Sequence, residues 1–157
     1  MEAARPAVLD DLPRIVELAE GAKAELAPLR GGSVWSRLEG RAAPVQTSLA
    51  AALADPEQLC LVGCIDDYIV GYSVSRRVTL HDGATLAMVE DLYVEHPFRA
   101  VGVGEALMET ILEWAAARGC EGVESLALPG DRDTKNFFET FGLVARMIRV
   151  FRPLPTT

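Results

Sequence analysis

The period of apolar and polar positions changes several times along the chain, and each change marks an element. Leu12, Ile15, Val16, Leu18 and Ala19 recur at helical spacing and predict a helix over LPRIVELAEGAKAEL, with Pro13 in its first turn and Asp10 or Asp11 as its cap. A short strand at 4–8 precedes it. Residues 28–44 are rich in Pro, Gly and Arg and read as a loop or broken helix, in which Trp35 is a packing anchor or part of a substrate wall. Thr47 or Ser48 then opens a short helix that ends before Pro56. Residues 59–65 form an apolar strand. Asp66-Asp67 makes a turn, and residues 68–77 alternate as the second arm of a hairpin. A turn at His81-Asp82-Gly83 leads into a third strand at 85–94, which Pro97 stops.

The clearest helix runs from Gly102 to Arg118. Val103, Leu107, Ile111, Trp114 and Ala115 form its apolar face, and Gly119 closes it. Residues 122–128 read as another strand. Asp133 or Thr134 opens a last short helix ended by Gly142, and residues 143–151 alternate as a final strand. This order predicts an α+β (mixed α/β) fold with a mixed sheet, antiparallel through the hairpins and parallel across the crossover helix. A length of 157 residues fits one domain spanning 1–157.

Composition narrows the function. The net charge of −8 argues against duplex nucleic acid as a partner and suits a cationic substrate. No apolar run reaches the roughly 20 residues of a membrane span, and the first residues lack the apolar core of a signal peptide. Cys60, Cys64 and Cys120 are too few and too far apart for a disulfide framework, and no Cys/His cluster has metal spacing. Cytoplasmic location and no metal are the resulting expectations.

The candidate chemistry lies in VEDLYVEHPFRAVGVG, residues 89–104. A strand is followed by Arg99, Gly102 and Gly104 where a helix begins. The first amides of a helix have no internal partner and carry about half a positive charge. Glycine lets a phosphate approach the backbone, and arginine adds a forked cation. The pattern reads as a pyrophosphate cradle or, more simply, as a turn and cap. A dinucleotide-binding fingerprint needs other glycine spacing in the first βα turn.

These residues resemble the signature of the GCN5-related N-acetyltransferases (GNAT), Q/R-x-x-G-x-G/A after an LYV-x-P strand, and DRDTKNFFETFGL is similar to the family's second motif. The resemblance covers roughly residues 59–151. It implies a GNAT-like fold, a central sheet of six to seven strands flanked by about four helices, with the parallel strands 85–94 and 122–128 splayed apart. Acetyl-CoA is the implied co-substrate, with its pyrophosphate on the amides of Ala100, Val101, Gly102, Val103 and Gly104 beside Arg99, and its pantetheine arm against Leu92, Tyr93 and Val94. Asp131, Thr134 and Phe138 fill the positions of the second motif. The implied reaction is direct attack of a primary amine, on a small molecule or a peptide, upon the thioester.

Alternation predicts that Glu90, Leu92 and Val94 share one face and Asp91 and Tyr93 the other. Glu90 is the candidate general base; it is equally read as a group that binds the substrate cation or a neighbouring arginine. Asp91 reads as structural. The chain departs from the family at Phe138, where a tyrosine usually protonates the leaving thiolate; water or Tyr93 would have to serve. The departure keeps open a weakly active or inactive acyl-CoA-binding domain. Ala100 stands where many members have glycine. Glu20, Glu25 and Glu39 are acids placed to suit a cationic acceptor or ordinary surface acids. A final strand at a sheet edge would favour a homodimer.

Overall fold

Each strand of the apolar stretch from 59 to 94 presents side chains to both faces, so the sheet needs cover on both sides. In the computed structural model, which describes residues 1–156, helices supply it. The strands are β1 Glu2–Pro6, β2 Leu59–Ile65, β3 Tyr68–Thr79, β4 Thr85–Val94 and β5 Gly122–Glu124. They lie in that order in one sheet, antiparallel up to β4 and parallel between β4 and β5. The helices are α1 Leu12–Leu26, α2 Gly32–Trp35, α3 Val45–Ala54, α4 Val103–Ala117 and α5 Arg132–Thr140.

On one face α1 and α3 bury Ile15, Leu18 and Leu49 against Val62, Tyr72 and Val74. On the other, α4 and α5 bury Leu107, Met108, Ile111 and Phe138 against Leu61, Val70 and Val89. Full burial of each aliphatic side chain stabilises the fold by about 1.5–3 kcal/mol. Gly63 on β2 lets α4 come close: a Cβ there would lie 2.5 Å from the Val103 side chain.

The mixed fold class is as expected, with five strands and five α-helices among the described residues rather than six to seven and about four. Residues 143–151 are not a strand, and β5 ends at Glu124 instead of 128. A strand exists only where a second backbone pairs with it, which alternation cannot supply. Asp11 occupies the cap position of α1 but does not cap it. Its carboxylate instead accepts from Arg5 Nη1 at 2.8 Å and from the Val8 amide at 2.8 Å. The Arg5 hydrogen bond holds its pKa below the ordinary carboxylate value.

Candidate active site

The helix α4 starts from a left-handed residue. Gly102 has φ +97°, a conformation glycine adopts without steric cost, and no side chain caps it. Among the described residues, the amides of Val101, Gly102, Val103 and Gly104 donate no hydrogen bond within the protein. The ladder begins with Ala106, whose N–H donates to Gly102 O at 3.0 Å. Four unpartnered donors at the positive end of a helix form an anion-binding concavity. Gly104 sits on Phe137, whose Cε1 would be 3.2 Å from a Cβ.

Arg99, which the motif places beside the pyrophosphate, is held by contacts within the protein. Its Nε donates to Val94 O at 2.7 Å, its Nη2 to Glu25 on α1 at 2.6 Å, and its plane lies over Tyr93. A guanidinium satisfied by a carboxylate and a carbonyl anchors the loop to β4 and α1. Ala100 has φ +64°. An alanine in the left-handed region costs roughly 1–2 kcal/mol. Ala100→Gly is therefore expected to stabilise the protein by up to about 1 kcal/mol, after the entropy of the added glycine is subtracted. A rise in Tm on thermal unfolding checks it, and an unchanged or lower Tm contradicts it.

Beside the loop, β4 and β5 part. Pairing runs from Leu86–Gly122 to Met88–Glu124, and then Ser125 Oγ donates to Val89 O at 2.8 Å. Beyond that point, among the described residues, 89–94 have no partner strand on that side. The parted strands open into a cavity of about 360 Å³, lined by Leu92 and Tyr93, by Ser125 to Leu128, and by Asp131, Thr134 and Phe138 at one end. Asp131 caps α5, accepting from the Thr134 amide at 3.3 Å and its hydroxyl at 2.6 Å. Phe138 is buried, and its ring also borders the cavity.

Glu90 does not share a face with Leu92 and Val94. In the β3–β4 pairing Val74 faces Asp91 and Ser75 faces Val89, so Glu90 is the extra residue of a bulge. The bulge resets the alternation. Leu92 and Val94 pack with α4, whereas Tyr93 lies on the α1 side. Glu90 lines the cavity, with Oε2 3.2 Å from Arg76 Nε and Oε1 4.0 Å from Arg41 Nη2.

Asp91 is structural, as its side of the strand suggested. Arg41 grips it with two nitrogens, one of them Nε at 3.3 Å from Oδ2, and the Tyr72 hydroxyl donates to Oδ2 at 2.7 Å. Arg41 also donates to Ser48 Oγ at 3.0 Å. Arg41 and Asp91 keep only 11% and 8% of their side-chain surface exposed. Burial, then the Asp91 carboxylate, push the Tyr72 pKa well above its ordinary value. Sequence reasoning missed this node because Arg41 lies in an aperiodic loop 50 residues from its partner. Burial likewise raises Tyr93, and it pushes the Cys60 thiol up to about 11, so Cys60 is no nucleophile at neutral pH. Of the three acids that would suit a cation, Glu25 is taken by Arg99 and Glu39 lines the cavity. Trp35 also lines it.

The family model for the GNAT acetyltransferases matches residues 25–143. No curated protein matches the chain. Among solved structures, a variant of the BH1408 protein of Bacillus halodurans superposes with a TM-score of 0.82 at 18% identity, over 97% of this chain and 99% of that one. A ribosomal-protein-alanine N-acetyltransferase from Brucella melitensis biovar Abortus gives 0.71 at 17%, over 99% and 100%. AAC(6')-Iy, in complex with the bisubstrate analogue CoA-S-monomethyl-acetylneamine, gives 0.74 at 15%, over 99% of both chains. Those likenesses establish the fold, and with the family match over most of the length the chain belongs to the GNAT acetyltransferase family.

Proposed function

We propose that residues 1–157 act as one domain that transfers an acetyl group from acetyl-CoA to a primary amine in a ternary complex. The observation that carries this reading is the row of unpartnered amides at Val101–Gly104 beside the gap between β4 and β5. The pyrophosphate fits the amides, and the unpaired edge of β4 at Leu92–Val94 fits a pantetheine arm. The amine nitrogen attacks the thioester carbonyl. The C–S bond then breaks, and the CoA thiolate leaves and takes up a proton. A backbone amide of the open edge would stabilise the oxyanion.

An alkyl ammonium with a pKa of about 10.4 must lose a proton before it attacks. Glu90 is the base we assign, acting directly or through water once the acceptor replaces Arg76 as its partner. Glu90→Gln is expected to lower kcat/KM about 10²–10⁴-fold near neutral pH. The deficit should shrink as pH rises toward the amine pKa. An unchanged pH–rate profile removes Glu90 as base, and a higher KM at constant kcat makes it a cation-binding residue only.

Phe138 favours a second reading, an acyl-CoA-binding domain with little or no turnover, since no hydroxyl occupies the position of the family's acid. Acetyl-CoA consumption against a panel of polyamines, aminoglycosides, lysine peptides and protein N-termini separates the two. Turnover with any of them supports transfer. Calorimetric CoA binding without turnover, and with no gain in rate from Phe138→Tyr, supports the binding domain.

A further inference from the structure

The cavity beside β4 is lined by both signs of charge, and the acids there are not free to meet a cation in number. At one end Asp131 caps α5. At the other, Asp91 is buried against Arg41 and the Tyr72 hydroxyl. Glu39 is held by Arg149 at 3.2 Å, and its second oxygen is covered by the protein. Among the described residues that line the cavity, Glu90 is therefore the one carboxylate an acceptor can meet. Arg76 lies against it, Nε 3.2 Å from Oε2, and has no other charged partner among the described residues. Lys23 lines the same wall. Its Nζ donates to Arg41 O at 2.6 Å, and no carboxylate pairs with it among the described residues.

The net −8 of the chain is thus not gathered where an acceptor enters. A polyamine or an aminoglycoside carries several ammonium groups. One reachable carboxylate flanked by two cations would pair with one of them and set the rest against Arg76 and Lys23. A plain amine fares little better, since taking Glu90 leaves the Arg76 guanidinium without a counter-charge. Arg76 and Glu90 keep 45% and 30% of their side-chain surface exposed, so both present their charges to the cavity rather than to the core.

We infer that the acceptor is a free α-amino acid with an apolar side chain, bound by Glu90 through its ammonium and by Arg76 through its carboxylate. The inference rests on the acetyl-transfer reading of this same site. A cation and an anion side by side in the wall complement a molecule whose own two charges are one carbon apart. The ammonium takes the place of Arg76 at Glu90, and the carboxylate takes the guanidinium so released, in the forked contact arginine favours. Every charge keeps a partner through the exchange, and Lys23 adds attraction for the carboxylate. Trp35, Leu38, Met88 and Leu126 line the cavity and offer apolar surface to the side chain. In the transfer the N–C bond forms as the C–S bond breaks. The first proton leaves the nitrogen for Glu90 and then solvent, and the second reaches the CoA thiolate through water. The amide formed has no ammonium, so Arg76 returns to Glu90 and the N-acetyl amino acid is released.

Two pairs of amines test the acceptor class: L-phenylalanine with 2-phenylethylamine, and L-leucine with 3-methylbutylamine. The members of each pair differ only in the carboxylate. With acetyl-CoA as donor, kcat/KM is expected to be at least about 10-fold higher for the amino acid of each pair, because its analogue lacks the charged partner of Arg76. Arg76→Gln should erase the preference by raising KM for the amino acids, while the plain amines lose nothing and so report that the variant is folded. Calorimetry on the CoA-saturated protein reads the same preference without turnover. Binding of the amino acids ahead of their analogues, with no acetylation, overturns the transfer reading and keeps the acceptor class. Equal or better use of the plain amines or of spermidine overturns the inference and keeps transfer. The inference also falls if Arg76→Gln costs both members of a pair alike. It falls as well if the amino acids show no saturable binding below about 10 mM, well above ordinary KM values.

Discussion

Gly102→Glu is expected to abolish acetyl-CoA binding, raising Kd by at least about 100-fold in calorimetric titration. Gly102 holds φ +97° at the head of α4, and the amides around it have no partner inside the protein. Each hydrogen bond from such an amide to a charged phosphate is worth about 1.5–3 kcal/mol. A side chain there forces the turn out of the left-handed region, misaims two or more of these donors, and sets a carboxylate where the pyrophosphate must sit. A Cβ would also lie 3.4 Å from Cγ of Glu2. Gly102→Ala, which adds strain without charge, should fall between the two. Near wild-type affinity in the glutamate variant would show that the phosphates bind elsewhere.

The largest expected loss of stability comes from Arg41→Ala. It leaves the Asp91 carboxylate, 8% exposed, without its counter-charge and with only the Tyr72 hydroxyl as donor. Removing one partner of a buried ion pair costs about 3–5 kcal/mol, because the remaining charge is stranded. For a chain of this length that corresponds to a fall in Tm of roughly 10 °C. Arg41→Lys should recover little, since an ammonium cannot make the two-pronged contact. Replacing the pair together, as Arg41→Met with Asp91→Leu, should be far less costly than Arg41→Ala alone. If Arg41→Ala costs less than about 1 kcal/mol, the pair is solvated and does not secure the β4 bulge. Loosening that bulge displaces Glu90, so kcat/KM should fall with stability.

What could be read from the sequence is what is encoded locally. Gly102 and Gly104 stand at a helix start that apolar periodicity also marks, so turn, cap and phosphate chemistry coincide in a few residues. Strict alternation puts Glu90 on the wrong face because it assumes no bulge, and a bulge is defined by the partner strand, here the step from Val74 to Ser75. The motif places Arg99 beside the phosphates, and only the fold shows that its guanidinium also pairs with Glu25, 74 residues away. Asp11 stands where a cap belongs, but its carboxylate turns to Arg5 and the Val8 amide, and sequence position alone does not reveal those partners. Residues 143–151 read as a final strand, but no second backbone pairs with them among the described residues.

The central claim is that the start of α4 receives the diphosphate of acetyl-CoA. Titrating acetyl-CoA into the ¹⁵N-labelled protein tests it most directly. The amide resonances of Val101 to Gly104 should move furthest, downfield as new hydrogen bonds form, with those of Leu92 to Val94 following. Saturable binding that leaves these amides unmoved, or no binding at all, would contradict it.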